Sequence, residues 1–125
     1  MEKKCYCGSI NFFELCCKPY LNGSKKAATA EQLMRSRYSA FATQSAEYLV
    51  ATTHIAQRSI DLKEEVLQWS TSNQWQKLEV IKATKTTVEF KACFLDRNKT
   101  PQLHHELSTF IQEQGLWYYV NGTFF

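Results

Sequence analysis

Nowhere in the 125 residues does an apolar run approach the ~18 that a membrane-spanning helix needs, and residues 1–20 lack the continuous apolar core of an export signal. A cytoplasmic location, where ordinary thiols stay reduced, is therefore the expectation. Charge of one sign is scarce as well. The net charge is only +3, all of it within residues 1–26, while the remainder sums to zero. That leaves no strongly basic face for nucleic acid. At 125 residues there is no room for a second full domain. What the chain does have is 44% hydrophobic and 14% aromatic residues, a composition that packs into a core rather than staying disordered.

Cysteine is almost absent after Cys17, where Cys93 is the one further example, yet four cysteines crowd into residues 5–17. The spacing is Cys5-x-Cys7, eight intervening residues, then Cys16-Cys17. Adjacent cysteines bond to each other only through a strained ring, and a reducing compartment disfavours the cross-paired disulfides that remain as an alternative. Neither doublet has the C-x-x-C spacing of a redox pair. Zinc needs four donors at tetrahedral corners and is served well by two close pairs joined by a short loop; an iron-sulfur cluster is the other four-thiolate possibility. Gly8 and Ser9 follow Cys7, as a tight turn and backbone donors to sulfur require. With all four donors from protein, such a site is closed to water and substrate, hence structural. Cys93, in the run EFKACFL, reads as a small buried hydrophobe.

Beyond an alanine-containing connector, Thr29-Ala-Glu-Gln32 has the form of a capping box, and Leu33, Met34, Arg37, Tyr38 and Phe41 follow at helical spacing to about Thr43. Further helix starts stand at Ser45 and at Asp61, the last offering Val66, Leu67 and Trp69 for burial. From Trp75 the periodicity changes to two, predicting strands over 76–83, 87–96, 102–112 and 117–120, with turns at 84–87 and 114–115. In the second strand Val88, Phe90, Ala92 and Phe94 share one face and Cys93 lies on the other. Helices followed by an antiparallel meander predict an α+β fold, three helices covering one face of a curved sheet. Residues 1–26 form the expected metal-binding segment and residues 27–125 the domain.

The segment C-Y-C-G-S followed by Cys16-Cys17 resembles the SEC-C motif, a zinc-binding tail found in the bacterial protein-translocation ATPase, with Tyr6 and Ile10 standing where that motif often has proline and a second glycine. Residues 29–54 and 104–122, including MRSRYSAF and GLWYYVNG, resemble the YchJ-like family, whose members join a SEC-C motif to a domain of the nuclear-transport-factor-2-like fold. The resemblance implies a cone of three helices and a bent sheet enclosing a pocket. It implies no reaction, since the family has no established activity.

Candidates for such a pocket are Arg37, Tyr38, His54, Glu106 and Tyr119, with Arg35, His104 and His105 nearby in sequence. If Phe110 points inward, Glu106 and His104 share its face and His105 points away. Glu106 could then act as a base, with Arg37, Tyr38 or His54 orienting a ligand. The structural alternatives are that Glu106 pairs with Arg35 or Arg37 to fasten helix to sheet, and that His54 caps the second helix. Two functional expectations result. One is a non-catalytic zinc module whose lysine-rich amino end docks on an acidic protein surface; the other is a small-molecule binder or enzyme using the cone.

Overall fold

A computed structural model describes residues 4–125. A 3₁₀ turn at Phe13–Leu15 leads into α1 (Lys18–Leu21), then α2 (Ala30–Thr43) and α3 (Ala46–Ala51). A second 3₁₀ turn, Ile55–Gln57, precedes α4 (Leu62–Ser72). Four strands follow: β1 (Gln74–Ala83), β2 (Thr87–Leu95), β3 (Pro101–Glu113) and β4 (Leu116–Phe124). They form one antiparallel meander in the order β1-β2-β3-β4. The α+β architecture is as the sequence predicts, with β4 longer than expected and α1 additional. No helix is long and apolar enough to cross a membrane among the described residues.

α2 starts where its capping residues place it. Thr29 Oγ1 accepts from the Gln32 N–H at 3.1 Å, and Gln32 Oε1 accepts from the Ala28 N–H at 2.8 Å, one residue ahead of the usual reciprocal bond. Its other end turns through Gln44 in the left-handed region at φ 62°. Ser45 and Asp61 precede their helices without capping them through their side chains.

α2 lies against the sheet, and one cluster joins Leu33, Met34 and Tyr38 to Val88, Phe90 and Phe110. Each fully buried leucine in it contributes on the order of 1.5–3 kcal/mol. Along β2 the alternation is as expected, with Val88, Phe90, Ala92 and Phe94 buried. Cys93 is only half-buried on the opposite face, a correction to its reading as a core residue. Register shifts between Trp75 and Lys77, Val80 and Lys82, and Thr109 and Phe110 mark the bulges that curve a sheet.

α4 departs from expectation. Of its residues only Ser70 is buried, while Leu67 and Trp69 remain 39% and 43% exposed. Ser70 Oγ donates to the Phe41 carbonyl and Trp75 Nε1 donates to the Ser70 carbonyl at 3.2 Å, so the end of α4 is pinned to α2 and β1. The helix otherwise packs mainly on α2 and α3 and reaches the sheet through Trp69, whose ring lies 5.8 Å from that of Trp75 and 5.4 Å from that of Phe94. The space it leaves is a cavity of about 630 Å³.

Candidate functional site

Two constellations stand out, one of sulfur and one of buried polar groups. The first is built on a short ribbon in which Lys4 bridges to Phe12 and the Cys5 N–H donates to the Asn11 carbonyl at 2.8 Å. Gly8 turns this ribbon at φ +89°, and a Cβ there would meet the Leu78 carbonyl oxygen at 3.1 Å. Only glycine tolerates both conditions. The 3₁₀ turn returns the chain, so that Cys16 and Cys17 face Cys5 and Cys7, and all four sulfurs lie within 4.8 Å of one another. A tetrahedral metal–thiolate site with bonds of ~2.3 Å has sulfur–sulfur edges of about 3.8 Å. Cys7 Sγ and Cys16 Sγ are 3.7 Å apart, and none of the five cysteines is in a disulfide.

The surroundings suit thiolates. Ser39 Oγ lies 3.6 Å from Cys5 Sγ, Ser9 Oγ lies 3.4 Å from Cys16 Sγ, and Arg35 Nη1 donates to the Cys7 carbonyl at 2.7 Å. Bonds from the Cys17 and Cys7 thiols hold Cys5 far below the usual thiol range, and those with Cys5 and Cys7 push Cys17 far above it. Four sulfurs this close can all be deprotonated together only if a cation shares their charge. The cluster could hold a metal ion, and no corner of it remains for water or substrate. Cys5, Cys7 and Cys17 are buried within the same core cluster as Leu33 and Tyr38.

The second constellation lines the cavity. Arg37 of α2, 9% exposed, donates through Nη1 to the Leu49 carbonyl at 2.9 Å and Thr52 Oγ1 at 2.7 Å, with Thr53 Oγ1 at 3.3 Å. Its guanidinium lies 4.7 Å from the Tyr119 ring centroid. Burial lowers its pKa to about 10, so it remains charged at neutral pH. The Tyr119 hydroxyl donates to Glu106 Oε2 at 3.1 Å, Ser108 Oγ donates to the same oxygen, and His104 Nε2 is 2.7 Å from Glu106 Oε1. Burial pushes the Glu106 carboxyl up, but the bonds from His104 and Ser108, the charge of His104 and the bond from Tyr119 outweigh it and hold Glu106 below its ordinary value. Burial, then the charge of Glu106 and the bond to it, push Tyr119 up, and burial raises Tyr38 to about 12. A carboxylate so covered is a weak base.

Residues 29–122 match the family model described as "YchJ, middle NTF2-like domain". The chain belongs to the YchJ family. It is 39% identical to a UPF0225 protein of Enterobacter sp. (strain 638) over 129 aligned positions, covering 98% of this chain and 84% of that one. The UPF0225 protein YchJ of Shigella dysenteriae serotype 1 is 38% identical with the same coverage. The solution structure of RPA3114, a SEC-C motif containing protein from Rhodopseudomonas palustris, superposes with a TM-score of 0.86 at 35% identity, over 95% of this chain and 96% of that one.

In this YchJ-family chain Arg37, Tyr38, Glu106 and Tyr119 all line the cavity, together with His104. His54 does not. α3 ends at Ala51, and His54 instead caps the following 3₁₀ turn, Nδ1 accepting from the Ala56 N–H while Nε2 lies 2.8 Å from Glu113 Oε1 on the far side of the hairpin. The expected pairing of Glu106 with an arginine is also absent: Arg35 pairs with Glu31 at 2.9 Å, and the Tyr119 phenol stands between Glu106 and Arg37. His105 faces away and meets Glu89 at 2.8 Å.

Three residues of this constellation are not among the candidates that the sequence offers. Ser108 shares the face of Glu106 by simple alternation. Thr53 holds Arg37. At Gly122 a Cβ would stand 2.8 Å from Glu106 Cγ and closer still to its carboxylate. A glycine inside a strand signals such close approach, and that signal could have found it.

Proposed function

We propose that the protein is a non-catalytic, zinc-stapled docking module. Cys5, Cys7, Cys16 and Cys17 hold Zn²⁺ as thiolates, which supplies folding energy and no reaction. In small peptides such sites are worth ~10–16 kcal/mol near neutral pH, enough to order a segment with little core of its own. The observation carrying the docking role is what the loop exposes while three of its four cysteines are buried: Ile10 is 84% and Leu15 76% exposed, with Phe12 at 40%. Lys4, Lys18, Lys25 and Lys26 are exposed on the same segment. Apolar contact ringed by lysine suits an acidic protein surface. Reduced thiols and the sulfur-only donor set fit a cytoplasmic site for the ion.

The test begins with elemental analysis, expected to give one zinc per chain. Lysine-directed crosslinking in cell extract, compared between the zinc-loaded protein and its Ile10→Ser/Leu15→Ser variant, should then capture an acidic partner only with the unaltered loop. Absence of zinc, or identical crosslinks from both proteins, sinks the reading.

A further inference from the structure

The cavity under α4 takes no part in that docking surface, and its chemistry is specific. It is lined by Trp69, Trp75, Phe90 and Phe110 on its apolar side, and its volume of about 630 Å³ lies in the range of small-molecule sites. A cavity lined only by such groups would select for little but size. This one also presents a buried cation that no carboxylate touches: Arg37 forms no salt bridge among the described residues, and the charge of Glu106 reaches it only across the Tyr119 phenol. An unpaired charge at this depth is costly for a fold to keep.

The hydrogen bonds of Arg37 show which of its edges is free. The carbonyl and the two threonine hydroxyls all meet Nη1, and the Tyr119 ring covers one face. Nε and Nη2 have no partner among the described residues. Every side-chain nitrogen or oxygen shut off from solvent among the described residues does have one, so these two groups are not wholly shut off, and the cavity is the space that Arg37 lines. The Nε/Nη2 edge is the one that receives a carboxylate through two parallel hydrogen bonds.

We propose that the cavity is a binding site for a small, largely apolar monocarboxylic acid, its carboxylate on the free edge of Arg37 and its body against Trp69, Trp75 and Phe90. Glu106 does not compete for the arginine. Three donors cover its charge, and Gly122 gives its side chain room on the far side of the Tyr119 phenol. An ammonium ligand on that edge would face the cation of Arg37 directly, with Glu106 already covered by its three donors. A phosphate dianion would bring two charges to one guanidinium within apolar walls. The His104 ring, the Ser108 hydroxyl and the Tyr119 phenol in the lining are all engaged with Glu106, so the assignment is to binding, with no bond made or broken.

The proposal stands apart from the docking reading and is tested without touching the cysteines. Octanoate and phenylbutyrate, each beside its primary amide and its amine, are titrated into the full-length protein while the fluorescence of the lining Trp69 and Trp75 is followed. NMR of the guanidinium and amide groups reports the place of binding. Each acid is expected to bind at least about tenfold tighter than its amide, with shifts at Arg37, Ala92 and Tyr119. Arg37→Gln should erase the preference for the acid.

Because Arg37 also holds α3, that variant could fail to fold, so Ala92→Phe, which fills the cavity from β2, serves as the second test and should weaken acid and amide alike. Equal affinity for acid and amide, tighter binding of the amine, no binding of either acid up to about 10 mM, or undiminished binding by folded Ala92→Phe overturns the proposal. Loss of zinc or of the docking partner leaves it standing, and its failure leaves the docking reading intact.

Discussion

Arg35 Nη1 donates to the carbonyl oxygen of Cys7 at 2.7 Å across 28 residues of sequence, while its Nε meets Glu31 at 2.9 Å. One side chain of α2 thus fixes the backbone where Cys7 enters the Gly8 turn. Arg35→Leu removes this bond without altering a ligand. Outer groups that orient metal ligands typically matter by about 10–100-fold in affinity, and a bond to the backbone beside a ligand belongs near the lower end. Competition for zinc with a chromophoric chelator should show a loss of roughly tenfold, and Arg35→Lys should recover part of it.

Gly122 and Glu106 share one space. Alanine at 122 would place its Cβ against the Glu106 carboxylate arm, which must then leave its three donors. Overpacking of this kind costs about 1–3 kcal/mol. Urea unfolding should show that loss in Gly122→Ala and a much smaller one when Gly122→Ala is added to Glu106→Ala, since the clash is then gone. Equal losses in both backgrounds would mean that the two residues are not coupled.

These two contacts mark the boundary of what the sequence discloses. The clustering of the four cysteines was legible because their spacing is local, and α2 because Thr29, Gln32 and the apolar rows speak within one element. Arg37, Tyr119 and Glu106 were each legible as candidates, but their arrangement was not, because they come from α2, β4 and β3 and the phenol that separates the two charges has no mark in sequence spacing.

His54 was misplaced for a related reason. The Thr52 and Thr53 hydroxyls donate to the Tyr48 and Leu49 carbonyls and end α3 a turn early, after which the His54 N–H joins the Tyr119 carbonyl at 2.8 Å. Side-chain competition for backbone acceptors decides that end, and helical periodicity does not report it.

Glu106 should make stability acid-sensitive. Its carboxyl lies below its ordinary value of 4.5 in the folded protein, so the ionised group stabilises the fold fully above about pH 4.5 and loses that contribution as pH falls through the lower folded value. Glu106→Gln should therefore be less stable than the parent near neutral pH. Its stability should fall less on going to about pH 3.5, because it lacks this titrating group. Parallel urea midpoints for the two proteins across that interval would remove Glu106 from the account.

Metal removal should reach beyond the cysteine segment. Were that segment an independent knob, stripping the ion would free residues 4–21 and leave the sheet untouched. Its sulfurs, however, pack in one cluster with Leu33, Met34, Tyr38 and Leu78, and Gly8 sits 3.1 Å, at its would-be Cβ, from the Leu78 carbonyl. Ligands that bind only the folded state stabilise all of what folds with them. A strong chelator should lower the midpoint of a single thermal transition and raise amide exchange at Leu33–Tyr38 as well as at Cys5–Leu21. Exchange that rises only in the amino-terminal segment would show two units that merely touch.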